Sequence, residues 1–186
     1  MISNISRIFW DLDQTLVDNH EVYHFQPFNP TDGWDFELYW PEEKEKYFTS
    51  VRPAAKRLIE FSRSMVGKEN VFILTAACRD VALRVNHLAK FGFSLSNIYS
   101  YESWGHWCKY YALNEPFKFE DTRNILIDNE APSDTKAFKK RMFLGIDKFD
   151  TSHRYLQVSE YLGNPSNVKK EREFEESVKK FILSFI

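Results

Sequence analysis

The sequence predicts an α/β fold in which a parallel sheet is covered on both faces by helices. Three observations predict it. Short apolar runs recur at Ile8–Trp10, Val71–Leu74 and Ile125–Ile127, each about the length of a buried strand. Stretches with apolar residues at helical spacing lie between them. Each apolar run ends in a polar residue, Asp11, Thr75 or Asp128.

The first strand is Ile8-Phe9-Trp10, delivering Asp11-Leu12-Asp13 at its end. From about Asn19 to Ser50 the pattern breaks. This stretch holds Pro27, Pro30 and Pro41, the turn signal Asp32-Gly33 and many aromatics. Phe36–Trp40 alternates apolar and polar, and Tyr47–Val51 is expected to pair with it as a hairpin. We read residues 19–50 as a small β-type cap insertion, within one domain spanning residues 1–186. Pro53 suits a first helical turn, and Leu58, Ile59, Phe61, Met65 and Val66 form an apolar face ended by Gly67.

After the Val71–Leu74 strand, a second helix is expected with Val81, Leu83, Val85, Leu88 and Phe91 apolar and Gly92 as terminator. Ile98–Tyr101 is the expected third strand. Lys109–Leu113 forms a short helix in this reading, Ile125–Ile127 the fourth strand, Ala131–Lys140 a helix and Met142–Ile146 a fifth strand. Residues 166–186 form an amphipathic helix with Phe174, Val178, Phe181, Ile182 and Phe185 on one stripe. It is expected to pack on its own domain, with partner binding or dimerisation as the alternative.

Composition narrows the function classes. The chain has 186 residues, is 43% hydrophobic and 17% aromatic, and carries a formal charge of −2. That balance gives no general attraction to nucleic acid or to an anionic membrane. Cys78 and Cys108 make neither a disulfide framework nor a zinc spacing. The expected setting is cytoplasmic, without a signal peptide or an apolar stretch of membrane-spanning length.

In parallel sheets, ligands bind at the C-terminal strand ends near the reversal of strand order. An acidic pair at one strand end is by itself a common turn feature. It gains meaning because two other strands also end in polar groups. Asp11 and Asp13 stand two residues apart, so both can approach one substrate. A carboxylate can attack phosphorus and form an aspartyl-phosphate. The second can protonate the leaving oxygen and later activate water. Clustered carboxylates repel, and magnesium, which prefers oxygen ligands, relieves this. Asp11, Asp128 and the Asp13 backbone carbonyl are the expected metal ligands. Thr75 offers a hydroxyl to phosphate, with Thr15 and Ala76 in the adjoining turns. Lys109 is the expected neutralising lysine, and Lys118 is the alternative. Asn129, or Asp134 in its place, is a candidate to hold a metal-bound water, with helix capping a further alternative for Asp134. Glu130 is a further acid beside them.

The order DLDQT, VFILT, a lysine and ILIDNE resembles the four motifs of the haloacid dehalogenase superfamily, over roughly residues 6 to 147. The resemblance implies a Rossmann-like, three-layer α/β/α fold, magnesium and phosphate-monoester hydrolysis. It matches Asp11 to the nucleophile, Asp13 to the general acid/base, Thr75 to the phosphate-binding hydroxyl, Lys109 to the lysine and Asp128 to the metal-binding acid. Val51-Arg52-Pro53, Ile73-Leu74-Thr75-Ala76 and Ile127-Asp128-Asn129 with Pro132 are similar to the small phosphatases acting on the RNA polymerase II C-terminal tail. The compact layout is also similar to the phosphatase portion of bacteriophage polynucleotide kinases. Gln14, where those tail phosphatases usually carry an acid, the lysine spacing and the insertion sequence are this chain's own. The expected substrate is a phosphorylated small metabolite, protein segment, nucleotide or nucleic-acid end. A binding protein on the same fold and a phosphotransferase are the alternatives.

Overall fold

The apolar run at the start of the chain forms β1 (Arg7–Trp10), the middle strand of a five-stranded sheet in the computed structural model. The structure describes residues 5–22, 27–29, 32–40, 44–100, 124–130, 155–163 and 168–185. β1 pairs in parallel with β5 (Val71–Leu74) on one side and β7 (Asn124–Asp128) on the other. The two-residue β6 (Ile98–Tyr99) extends the sheet beyond β5, and β8 (Tyr155–Gln157) extends it beyond β7. The chain runs from β1 outward through β5 to β6. It then returns to the far side of β1 as β7, so strand order reverses beside β1.

Continuous apolar runs suit these strands because both faces are covered. Ile8, Trp10, Ile73, Ile125 and Ile127 join one core with Leu58, Val178 and Ile182. Phe9, Phe72 and Leu126 alternate with them along the strands and are also buried, the Phe9 and Phe72 rings stacking at 5.0 Å. The α/β class expected from the sequence is the observed one. Residues 109–113 and 131–140, expected to be helical, lie outside the described residues.

Helix α1 (Ala55–Val66) follows Pro53 and stops at Gly67, whose φ of 90° suits a residue without Cβ. Trp10 Nε1 donates to Ser62 Oγ at 3.3 Å, tying α1 to the sheet. Helix α2 (Arg79–Leu88) ends earlier than expected. Lys90 already adopts φ 55°, and Leu88, read as part of the apolar face, is exposed. Ala82 and Val85 carry the buried face instead. The fifth parallel strand is β8; the expected strand at 142–146 lies outside the described residues.

The insertion forms a second, antiparallel sheet of β2 (Val17–Val22), β4 (Glu45–Val51) and β3 (Phe36–Trp40), in the order β2-β4-β3. The expected hairpin is β3–β4, with Phe36 opposite Thr49. β2 was not expected as a strand. Its sequence, VDNHEV, lacks a clear alternation, yet Asn19 pairs directly with Thr49 of β4.

Helix α3 (Val168–Leu183) packs on α1 and buries Phe174, Val178 and Ile182 within its own chain. Complete burial of such side chains contributes roughly 1.5–3 kcal/mol each. Any pairing of two copies through α3 must therefore use its other face. Among the described residues, no helix is long and apolar enough to cross a membrane.

One buried ion pair locks α3 in place. Arg52 Nε donates to both Glu171 oxygens at 3.0 and 3.2 Å, and the guanidinium lies 3.4 Å from the Phe174 ring centre. Removing one partner strands the other in a poor solvent. Arg52→Met should therefore lower unfolding free energy by about 3–5 kcal/mol, measured by urea denaturation.

A second pair sits nearer the surface. Hydrogen bonds from Arg57 and then Lys179 hold the Glu175 carboxyl down at about 2, against an ordinary 4.5. A depressed carboxyl stabilises the fold above its unfolded value, and that contribution fades as pH falls from 4.5 toward 2. Arg57 is largely exposed, so solvent screening keeps the effect to about 1 kcal/mol or less. Glu175→Gln should unfold at lower urea than the natural chain at pH 7, and the two midpoints should converge near pH 2.

Candidate active site

The three strand ends singled out by sequence meet where strand order reverses. Asp11 follows β1, and its backbone N–H still bonds the Ile127 carbonyl of β7 at 2.9 Å. Thr75 follows β5, and its N–H bonds the Tyr99 carbonyl at 3.0 Å. Asp128 closes β7, one step beyond the Trp10–Ile127 pair, so it stands level with Asp11. All three residues are buried.

After Asp11 the chain folds back at once. The N–H groups of Leu16 and Val17 both reach the Leu12 carbonyl, at 2.9 and 3.1 Å, and Gln14 N–H bonds the Val17 carbonyl at 2.6 Å. Gln14 takes a left-handed φ of 58°, which non-glycine residues rarely adopt. Such strain is concentrated at functional turns and is held by its surroundings. Here Leu12 and Leu16 are buried anchors on either side. Asp11 is thereby kept inside while Asp13 stands half-buried.

Asp13 and Thr75 are brought together. Thr75 Oγ1 accepts the Ala77 N–H at 3.1 Å, which directs its own proton toward Asp13 Oδ2 at 3.4 Å. Asp13 Oδ1 accepts a much shorter bond, 2.5 Å, from Asn19 Nδ2. Ala76 is exposed beside Thr75. Thr15, expected to touch substrate, is fully buried instead. Its hydroxyl accepts the Asn129 N–H at 3.0 Å, and its carbonyl accepts from Arg52 at 3.3 Å. Lys109, Lys118 and Asp134 lie outside the described residues.

The Asn129 carboxamide, left in a supporting role by sequence reasoning, lies at the heart of this cluster. One end of it sits 3.0 Å from the Asp13 carbonyl oxygen, 3.0 Å from Thr15 Oγ1 and 3.1 Å from Asp11 Oδ2. With the amide nitrogen at that end, its two N–H groups are shared among these three oxygens. With the oxygen there, Thr15 donates to it, and it faces the Asp11 and Asp13 oxygens directly. Adjacent ligands of octahedral magnesium, bonded at 2.0–2.1 Å, lie about 3.0 Å apart. Asp11, the Asp13 carbonyl and Asn129 therefore fit such a cation with the amide in the second orientation. Among the described residues, no cluster of three or more His, Cys, Asp and Glu side chains is arranged to hold a metal. Asp128 Oδ1 accepts the Glu130 N–H at 2.9 Å, an arrangement that fixes its carboxylate at the strand end. Glu130 itself is exposed.

A cavity of about 380 Å³ opens beside Asp13, between the insertion sheet and the start of α2. Leu38, Val81 and Cys78 give it apolar walls, while Asn19, Glu45 and Tyr47 add polar groups. The Tyr47 hydroxyl bonds the Glu45 carboxylate. Trp34 stacks on His20 at 5.6 Å. Nearby, burial pushes the Asp18 carboxyl above its ordinary value; His20 pulls it back and the Asp13 charge adds to the rise.

Sequence reasoning missed Asn19, Thr49 and the anchoring role of Arg52. Asn19 and Thr49 lie in the insertion, where no motif marks them. Arg52 lies in Val-Arg-Pro, where the signal was an arginine at the end of a mostly buried strand.

No family model matches the chain, and no curated protein matches it. Solved structures do. Two structures of the RNA polymerase II CTD phosphatase Fcp1, one of them a fission yeast variant bound to beryllium fluoride, match it with TM-scores of 0.55 and 16% sequence identity. The matches cover 98% of this chain but only 51% and 49% of those chains. At that identity the likeness concerns the fold: this chain has the α/β fold found in Fcp1, over about half of that protein's length.

Proposed function

We propose that the chain is a magnesium-dependent phosphatase that hydrolyses phosphate monoesters through an aspartyl-phosphate on Asp11. The observation that carries this reading is the convergence of Asp11, Asp13, Thr75 and Asn129 at the strand-order reversal, beside an open cavity. The fold shared with a phosphatase supports it.

In the first step an Asp11 carboxylate oxygen bonds to phosphorus as the bond from phosphorus to the leaving oxygen breaks. Asp13 gives its proton to that oxygen, so an alcohol departs. In the second step water attacks phosphorus and loses a proton to Asp13. The bond from phosphorus to Asp11 breaks, releasing inorganic phosphate and restoring both carboxyl groups. Thr75 orients the phosphate and Asp13. Asp11, the Asp13 carbonyl, Asn129 and Asp128 would hold magnesium, which supplies positive charge between an anionic nucleophile and an anionic ester. Lys109, or Lys118 in its place, is proposed to neutralise the phosphate.

The cavity beside Asp13 is proposed to take the leaving group. Its size suits a side chain or a small-molecule fragment. The Glu45 carboxylate on its wall disfavours leaving groups with further negative charge. A panel of aryl phosphates, sugar phosphates, nucleotides, phosphopeptides and 3′- or 5′-phosphorylated oligonucleotides ranks these classes. The proposed setting is cytoplasmic.

Asp11→Asn should lower phosphate release from p-nitrophenyl phosphate by on the order of 10³-fold or more, as loss of a nucleophile does. Equal rates for the two proteins would remove Asp11 from this role. Chelation should abolish activity and magnesium restore it. Asn129→Leu should raise the magnesium concentration giving half-maximal rate by roughly ten-fold or more. An unchanged magnesium dependence would place Asn129 outside the metal shell.

A further inference from the structure

We propose that Asn19 is a positioning residue through which the insertion sheet aims the Asp13 carboxyl at the leaving oxygen. The inference rests on the phosphatase reading and deepens it.

Asp13 stands half-buried on the strained turn at Gln14. Two of its hydrogen bonds differ in strength. Asn19 Nδ2 donates to Oδ1 at 2.5 Å, whereas Thr75 Oγ1 donates to Oδ2 at 3.4 Å, near the limit of a hydrogen bond. The Asn19 bond is the stronger restraint on where the carboxyl points. Asp13 gives its proton to the leaving oxygen as the P–O bond breaks, and the carboxylate later takes the proton of the attacking water.

The amide needs its nitrogen toward Asp13, and the insertion enforces that orientation. Thr49 Oγ1 donates to Asn19 Oδ1 at 2.7 Å. Thr49 is fully buried on β4, the central strand of the insertion sheet, and is the register partner of Asn19. The hydrogen bonds thus run from Thr49 to Asn19 to Asp13. Asn19 also lines the cavity beside Asp13, so it acts at the place where the leaving group would sit.

The test is leaving-group dependence, measured on the full chain with magnesium. The value of kcat/KM reports the first chemical step. A p-nitrophenolate departs without a proton, whereas an alkoxide requires one. Asn19→Leu should lower kcat/KM for an alkyl phosphate by roughly ten-fold or more beyond its effect on p-nitrophenyl phosphate. Thr49→Val should shift the ratio in the same direction by less, and it supplies the comparison should Asn19→Leu not fold. Asp13→Asn is the control and should show the largest selective loss. Equal losses on both esters in the Asn19 and Thr49 variants, or none, beside a selective loss in Asp13→Asn, overturn the role of Asn19 and leave the phosphatase reading intact. An unselective Asp13→Asn overturns the acid assignment itself.

Discussion

Everything around the site hangs on a buried guanidinium. Arg52, at the exit of β4, is 1% exposed. It donates to Glu171 on α3, to the Ser159 carbonyl and hydroxyl at 2.9 and 3.1 Å, and to the Thr15 carbonyl in the turn after β1. Phe174 and Tyr161 present their rings to it at 3.4 and 5.6 Å. Burial pulls its pKa down and the Glu171 carboxylate pushes it up again. A buried cation is tolerable only when its donors are all used. That demand makes Arg52 a geometric lock. It fixes the insertion sheet, the turn after β1, the segment after β8 and α3 relative to one another. An apolar residue of equal volume would fill the space without enforcing the register.

The turn between β1 and β2 shows why such a lock is useful. Gln14 sits in a left-handed conformation that its own residue type disfavours. Its carbonyl accepts Tyr161 N–H at 2.7 Å, and the Tyr161 hydroxyl meets Ser50 Oγ at 2.8 Å. The strained turn is thus clamped from the β8 side and from β4 together. The clamped residue directly follows Asp13, so a shift of the turn would displace that carboxyl.

Much of the central sheet was legible because its strands are buried on both faces and read as uninterrupted apolar runs. Ile8–Trp10, Val71–Leu74 and Ile125–Ile127 needed no partner to be recognised. β2 was hidden for the opposite reason. Asp18, Asn19 and His20 interrupt its pattern because one of them serves the site and the others approach it. β8 has three residues, too few for any periodicity to register. Leu88 misled because apolar spacing says where a helix face lies, not where the helix stops. At the site, residue types and their order along the chain announced Asp11, Asp13, Thr75 and Asp128. The pairing of Asn19 with Asp13 depends on how an antiparallel strand registers against β4, and no local pattern encodes that contact.

The balance of charge then argues for a bound cation. Asp11, Asp13, Asp18 and Asp128 lie on the turn after β1, on β2 and at the end of β7, all at one end of the sheet. The guanidinium that reaches this region, Arg52, is committed to Glu171 and to backbone oxygens, so its charge is not at the disposal of a substrate. Desolvation already raises the Asp18 carboxyl, with Asp13 adding to the effect. On the proposed function, bringing a phosphate dianion to such a place requires positive charge from a metal, from lysine or from both. Asn129 suits the proposed metal site because an amide is neutral. As a ligand through its oxygen it would add no charge to the cluster, and without a cation its nitrogen can donate to the Asp11 and Asp13 oxygens. A carboxylate in its place would add a further negative charge beside them and could not donate.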